Sequence, residues 1–307
     1  MNEATIITFA NQKGGVGKTT LCTLFANYLV ARGKRTIVID CDGQQTIFEK
    51  RKADHKKYSD LKEPYKVQAF NIADPENVKN LMLNLRQLNG TVLIDAPGNL
   101  AQQGLIPLFV HSDYIVCPYQ YETTSINSTV TFLGFILQLK KRVQSMATKI
   151  FFVVNRHDKR YGTEREKQLW AETDEGWSKF GIVTPKIEQR VEMQRYNTVS
   201  LMNTQETIVK PAFDCIYNEI YPWWARRSHR NKPWRRAARA AALPRGRFRW
   251  PTPPPASCTR AGFSSNPWYH SLCLKPPEGS PAASFPFIQT NEKDYFILPI
   301  VKKSEKL

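Results

Sequence analysis

Residues 5–20, TIITFANQKGGVGKTT, constrain this chain more than any other stretch. The first half is a short apolar run rich in β-branched residues, the pattern of a buried parallel strand. From Thr19 onward the spacing is that of a helix packing back on it. Between them lie Lys13, Gly14, Gly15, Val16, Gly17 and Lys18, with Thr19 and Thr20 following. Glycines let the backbone take positive φ and bring several N–H groups together, and the N-terminus of the next helix adds donors and partial positive charge. Strand, glycine-rich loop and helix in that order make a cradle for phosphate groups. Lys18 has the reach for β- and γ-phosphates, and the Thr19 hydroxyl is the expected magnesium ligand.

The rest of the chain alternates in the same style. Residues 35–40, RTIVID, form a second buried strand after a helix that should end at Gly33. It runs into Asp40-Cys41-Asp42-Gly43-Gln44-Gln45, and carboxylates at a strand's carboxyl end point toward the ligand crevice of an open α/β sheet. Residues 49–57, EKRKADHKK, read as a solvated helix end; residues 66–72 alternate as an exposed strand, and residues 75–88 have helix spacing. Residues 91–95, TVLID, precede Ala96-Pro97-Gly98, which looks like a Walker B strand whose Asp95 holds magnesium through a water. Strands at 114–118 and 149–155, and helices at 125–142, 163–180 and 210–221, complete the pattern. Short buried strands alternating with helices predict an α/β fold: a mostly parallel twisted sheet with helices on both faces.

The usual phosphate-loop pattern asks for glycine where this chain has Gln12, but KGGVGKTT carries a second lysine, Lys13, at the head of the loop. This is the deviant Walker A signature, and over residues 4–221 the chain resembles ParA-like partition ATPases of the ParA/MinD class, in the short form of plasmids and conjugative elements. The resemblance implies ATP and Mg2+ as ligands, slow ATP hydrolysis, and a homodimer in which Lys13 reaches the partner's nucleotide. It implies that Asp42 positions the attacking water, that Asp40 helps hold the magnesium and the switch geometry, and that Asn155, ending the strand IFFVVN, meets the adenine. An asparagine offers the donor and acceptor pair that adenine needs. Gly43 stands where that class usually has proline, and residues 184–195 lack its usual Pro-Arg pattern. Nonspecific DNA and a centromere-binding activator protein are the implied partners. The chain opens just before its first strand, so neither a signal peptide nor an N-terminal helix-turn-helix is expected, and the implied location is cytoplasmic, on the nucleoid when ATP is bound.

Charge agrees with this reading once its distribution is considered. The formal net charge is +17, yet residues 222–307 hold 16 Lys and Arg against 4 Asp and Glu. The body at residues 1–221 is therefore only mildly basic. The tail also holds 13 of the 20 prolines and 5 of the 7 tryptophans, and no amphipathic period survives in it. Arginines interleaved with indoles suit a nucleic-acid-binding arm. The abrupt change of composition favours a segment outside the domain, disordered and without selected function.

Three further function classes compete with this reading. A MinD-like membrane-positioning ATPase needs a C-terminal helix with apolar and basic faces, which neither residues 210–221 nor the tail supplies. An iron–sulfur reductase needs cysteines projecting to a dimer axis from two loops, whereas Cys117 lies in a strand and no second cysteine follows Asp95 nearby. An interaction protein of a conjugative element that binds ATP without hydrolysing it would require Asp42 to be inert.

Overall fold

A computed structural model of the chain describes residues 3–222. The strongly basic tail expected from residue 222 onward lies outside the described residues except for Pro222. The elements run β1 (Thr5–Phe9), α1 (Lys18–Ala31), β2 (Thr36–Asp40), α2 (Thr46–Lys57), β3 (Lys66–Ala69), α3 (Pro75–Arg86) and β4 (Thr91–Asp95). They continue with α4 (Leu105–Val110), β5 (Tyr114–Tyr119), α5 (Thr123–Arg142), β6 (Lys149–Val154), α6 (Glu164–Ser178), β7 (Ile182–Val183), a 3-10 turn (Val191–Gln194) and α7 (Asn203–Ile220).

The seven strands form one parallel sheet in the order β3-β2-β4-β1-β5-β6-β7. The inner strands are near-continuous apolar runs because both faces are covered, whereas the edge strand β3 (KVQA) buries no residue fully. On one face Ile7, Phe9, Val38, Leu93, Val116 and Val153 pack against α1 and α7, through Phe25, Tyr28, Val209, Phe213 and Ile216. On the other, α3, α4 and α5 meet through contacts such as Phe109 on Phe132. With β1 in the middle, strand register sets the chemistry. Asp95 stands opposite both Phe9 and Asp40, so two carboxylates end adjacent strands side by side.

Two expectations are corrected. The final helix begins at Asn203, not near residue 210, and it runs through Pro211. Pro211 removes one helical N–H, but it lies on the exposed side of α7, where water can bond the carbonyl it frees. The charged run at 49–57 is helical as expected, but it is not uniformly solvated: Arg51 and Asp54 are each only 6% exposed.

Candidate functional site

The loop between β1 and α1 is built from its neighbours outward. The Ala10 N–H donates to Val116 O and the Ala96 N–H to Phe9 O, so strands on both sides grip the exit of β1. Asn11 is buried; its Nδ2 donates to Pro118 O (2.7 Å) and Thr129 Oγ1 (2.9 Å), and its Oδ1 accepts the Lys13 N–H (3.3 Å). The loop then closes through Gly17, at φ +100°, where an added Cβ would lie 2.3 Å from Asn155 Nδ2. Gly17 starts α1 with no side-chain cap and no acidic residue in the first turn. A 14-residue helix thus aims uncapped N–H groups and the positive end of its dipole into the loop.

Lys18 lies within this loop, 7% exposed, and its Nζ donates to Lys13 O at 3.1 Å. Burial holds its pKa below the usual lysine value, against the pull of Asp95 and Asp42. The loop after β4 covers it closely: a Cβ on Gly98 would sit 3.0 Å from Gln12 O and 3.5 Å from Lys18 Nζ. The Lys13 side chain is half-buried at the head of the loop, and Thr19 and Thr20 follow Lys18 on the first turn of α1.

The three carboxylates divide into different roles. Asp95 is 1% exposed, and among the described residues neither of its oxygens has a hydrogen-bond partner. Burial pushes its pKa up to about 8; nearby Thr19 opposes the rise without reaching hydrogen-bonding geometry, and Asp40 adds to it. An orphaned carboxylate beside Lys18 and the Thr19 hydroxyl fits a hydrated Mg2+, which takes few protein ligands and completes its shell with water and phosphate oxygens. Among the described residues no group of three or more His, Cys, Asp or Glu side chains could hold a metal by itself.

Asp40 is instead saturated by backbone. Its Oδ2 accepts the N–H groups of Ile47 (2.9 Å) and Phe48 (3.1 Å) at the start of α2, and its Oδ1 accepts that of Asp42 (3.3 Å). Burial raises its pKa while these three bonds lower it. Asp42 is half-buried; its Oδ1 accepts the Gln44 N–H at 3.0 Å, and no bond to its other oxygen is found among the described residues.

A cleft of about 150 Å³ opens beside the loop, lined by Gly17, Thr20, Asn155, Arg156, Gln189 and Met193 among others. Asn155 is buried, and its Nδ2 donates to Val16 O at 2.8 Å, leaving its carbonyl oxygen as an acceptor. The far wall is the segment from Glu188 to Gln194, stitched to the end of β6 by His157 N–H to Ile187 O and Gln189 N–H to His157 O, both 2.9 Å. The cleft adjoins the loop at Gly17 and Thr20, and its lining is polar or charged apart from Gly17 and Met193.

Residues 7–197 match the CobQ/CobB/MinD/ParA nucleotide binding domain. The chain belongs to this family. A protein of Pseudomonas putida without assigned function is 30% identical over 149 residues, 45% of this chain and 56% of its own length. The chromosome-partitioning ATPase Soj of Thermus thermophilus is 55% identical over 38 residues, 12% of this chain and 15% of Soj. The chain thus spans about half the length, or less, of these curated relatives. Among solved structures, a plasmid partition protein of Borrelia burgdorferi bound to AMPPNP superposes with a TM-score of 0.56 at 17% identity, over 71% of this chain and 99% of that one. The ATP complex of a Cyanothece McdA variant gives 0.56 at 16% identity, over 72% and 97%. These likenesses establish the ParA/MinD fold.

Several residues escaped the sequence reading. Asn11 anchors the phosphate loop to β5 and α5, yet a lone asparagine after a strand gives no signal of that. Met193 and Gln189 line the cleft beside the loop from a segment without regular period. Gln205, fully buried, holds the 3-10 turn by donating to Glu192 O at 2.9 Å.

Proposed function

We propose that this chain is an ATP-dependent, dimerising ATPase that works as a nucleotide switch in the partition of plasmid or mobile-element DNA. The observation that carries the reading is the orphaned carboxylate of Asp95 beside Lys18 and the uncapped start of α1. Opposite charges are arranged to receive a phosphate chain and a cation together. Main-chain N–H groups of Gly14, Gly15, Val16 and Gly17 and of the first turn at Thr19 and Thr20 bind the β- and γ-phosphates. Lys18 exchanges its Lys13 carbonyl for a phosphate oxygen, and Asn155 accepts from the adenine amine. Thr19 and Asp95, with Asp40 behind them, hold Mg2+, which neutralises charge on the transferring phosphoryl group when bound. Asp42 uses its unbonded oxygen to hold a water in line with the γ-phosphate.

Lys13 reaches the phosphates of a second copy, so ATP occupancy and dimerisation are linked. Pairing two mildly basic bodies doubles the charge facing a phosphate backbone, which supports nonspecific DNA binding by the ATP dimer. A centromere-binding activator completes the proposed cycle by stimulating hydrolysis. No described helix is long and apolar enough to cross a membrane. The apolar side of α7, with Val209, Phe213 and Ile216, is buried against α1 and is not free to lie on a bilayer.

Asp42→Ala tests the switch. The variant should bind ATP, dimerise in light scattering, hold DNA persistently in a filter-binding titration, and release almost no phosphate. Wild-type hydrolysis in Asp42→Ala removes Asp42 from the mechanism; DNA binding indifferent to nucleotide in the wild type refutes the switch.

A further inference from the structure

Away from the phosphate loop, a buried polar cluster joins α2 to the segment that walls the base cleft. On α2, Ile47, Arg51 and Asp54 fall at i, i+4 and i+7 and face inward. Arg51 donates to Tyr65 O (2.7 Å), Thr198 O (2.6 Å) and Thr198 Oγ1 (3.0 Å). Asp54 Oδ2 accepts both the N–H (2.7 Å) and the hydroxyl (3.0 Å) of Thr198. Thr198 is fully buried and lies between the two charges. Buried charges persist only when each is met by well-formed partners, and here one threonine supplies partners to both.

Each end of this cluster leads to the candidate site. One turn before Arg51, the first N–H groups of α2 are held by Asp40, whose other oxygen holds the Asp42 N–H. Four and five residues before Thr198, Gln194 and Met193 line the cleft. The intervening chain has little freedom: Asn27 Nδ2 donates to Asn197 O at 2.8 Å, and Lys50 of α2 lies 5.1 Å from the Tyr196 ring.

We propose that Arg51, Asp54 and Thr198 are positioning residues that couple the base cleft to the loop bearing Asp42, an inference that rests on the nucleotide reading above. A base in the cleft fixes the 3-10 turn. Thr198 passes that constraint to α2, and Asp40 passes it to Asp42. A phosphate chain lacking a base occupies the loop but leaves Asp42 less ordered. The coupling therefore favours a water-positioning loop that forms fully only around a complete nucleotide.

Amide hydrogen exchange on the full chain with Mg2+ tests this, comparing ADP with pyrophosphate at residues 42–48. In the wild type, ADP should slow exchange at Ile47 and Phe48 by about fivefold to tenfold more than saturating pyrophosphate does. Thr198→Val removes the hydroxyl shared by Arg51 and Asp54 but keeps the main-chain bonds of Thr198 to both, so the extra protection should fall; Thr198→Ser should restore it. Asp54→Asn, close to the native shape, is read the same way should Thr198→Val not fold. A cluster that only stabilises the fold would speed exchange equally with both ligands, and an unchanged ADP-to-pyrophosphate ratio in the variants overturns the proposal. Equal protection by the two ligands in the wild type overturns it as well. Failure of ADP to protect residues 14–19 would instead refute nucleotide binding itself, and the coupling with it.

Discussion

Gly17→Ala places two separable strains at one point of the phosphate loop. The first is in the backbone: at φ +100° an L-residue pays about 1–2 kcal/mol of conformational strain. The second is steric, since the new Cβ would stand 2.3 Å from Asn155 Nδ2, far inside contact distance. Asn155 is buried and cannot swing aside without breaking its 2.8 Å bond to Val16 O. Losing that bond and leaving the amide unpaired costs about 1–3 kcal/mol more. The single variant should therefore lose about 3 kcal/mol. With Asn155→Ala already present the obstacle is gone, and Gly17→Ala should then cost only the backbone part, about 1–2 kcal/mol. Urea midpoints for the four proteins, compared at constant m-value, measure the cycle. A coupling of about 1–2 kcal/mol is expected, and additivity within about 0.5 kcal/mol would refute the clash. Nucleotide titrations on the same four proteins should show Gly17→Ala weaker than wild type in both backgrounds.

Lys18→Ala should abolish ATP binding in calorimetry, because no neighbouring cation replaces its charge at the phosphates. Lys13→Ala should bind ATP yet stay monomeric, and an ordinary ATP-dependent dimer in light scattering would sink the sandwich arrangement. For the ligand-free protein in chelator, stability should fall as pH rises from about 4 to 8. Over that window native Asp95, with its pKa near 8, keeps a proton that the unfolded chain, near 3.9, has released. Asp95→Asn should shallow that slope, leaving the smaller part due to Asp40, and urea midpoints at pH 5 and 8 that move in parallel for the two proteins would contradict the assignment.

Much of the fold was legible because both periodicities are clean. The runs ending at Asp40 and Asp95 read as buried strands from their β-branched content, and register did the rest by setting the two aspartates side by side. What the sequence could not show was which carboxylate would be free. Asp40 and Asp95 look alike as strand-terminal aspartates, yet one meets three backbone N–H groups and the other meets none. That difference depends on the path of the chain after each strand: α2 turns its first N–H groups back over Asp40, whereas the N–H that follows Asp95, that of Ala96, goes to Phe9 O. The charged run at 49–57 was misread for a related reason. Helical spacing assigns faces only where apolar residues mark them, and here two of the three inward positions carry charge.

The division of labour among these aspartates also accounts for why the site should be sensitive to its ligand. A buried carboxylate without partners destabilises the fold that contains it, and an uncapped helix start facing a buried lysine adds to that cost. Neither defect is repaired by any described residue, although Asn11, Asp40 and Asn155 show that the same loops satisfy polar groups closely elsewhere. A phosphate chain with its cation would repair both at once. Binding should then tighten the loops around Lys18 and Asp95 together, and release should loosen them together. The proposed switch needs two states separated by the ligand alone, and the unpartnered groups at the centre of this sheet are where that separation would be built.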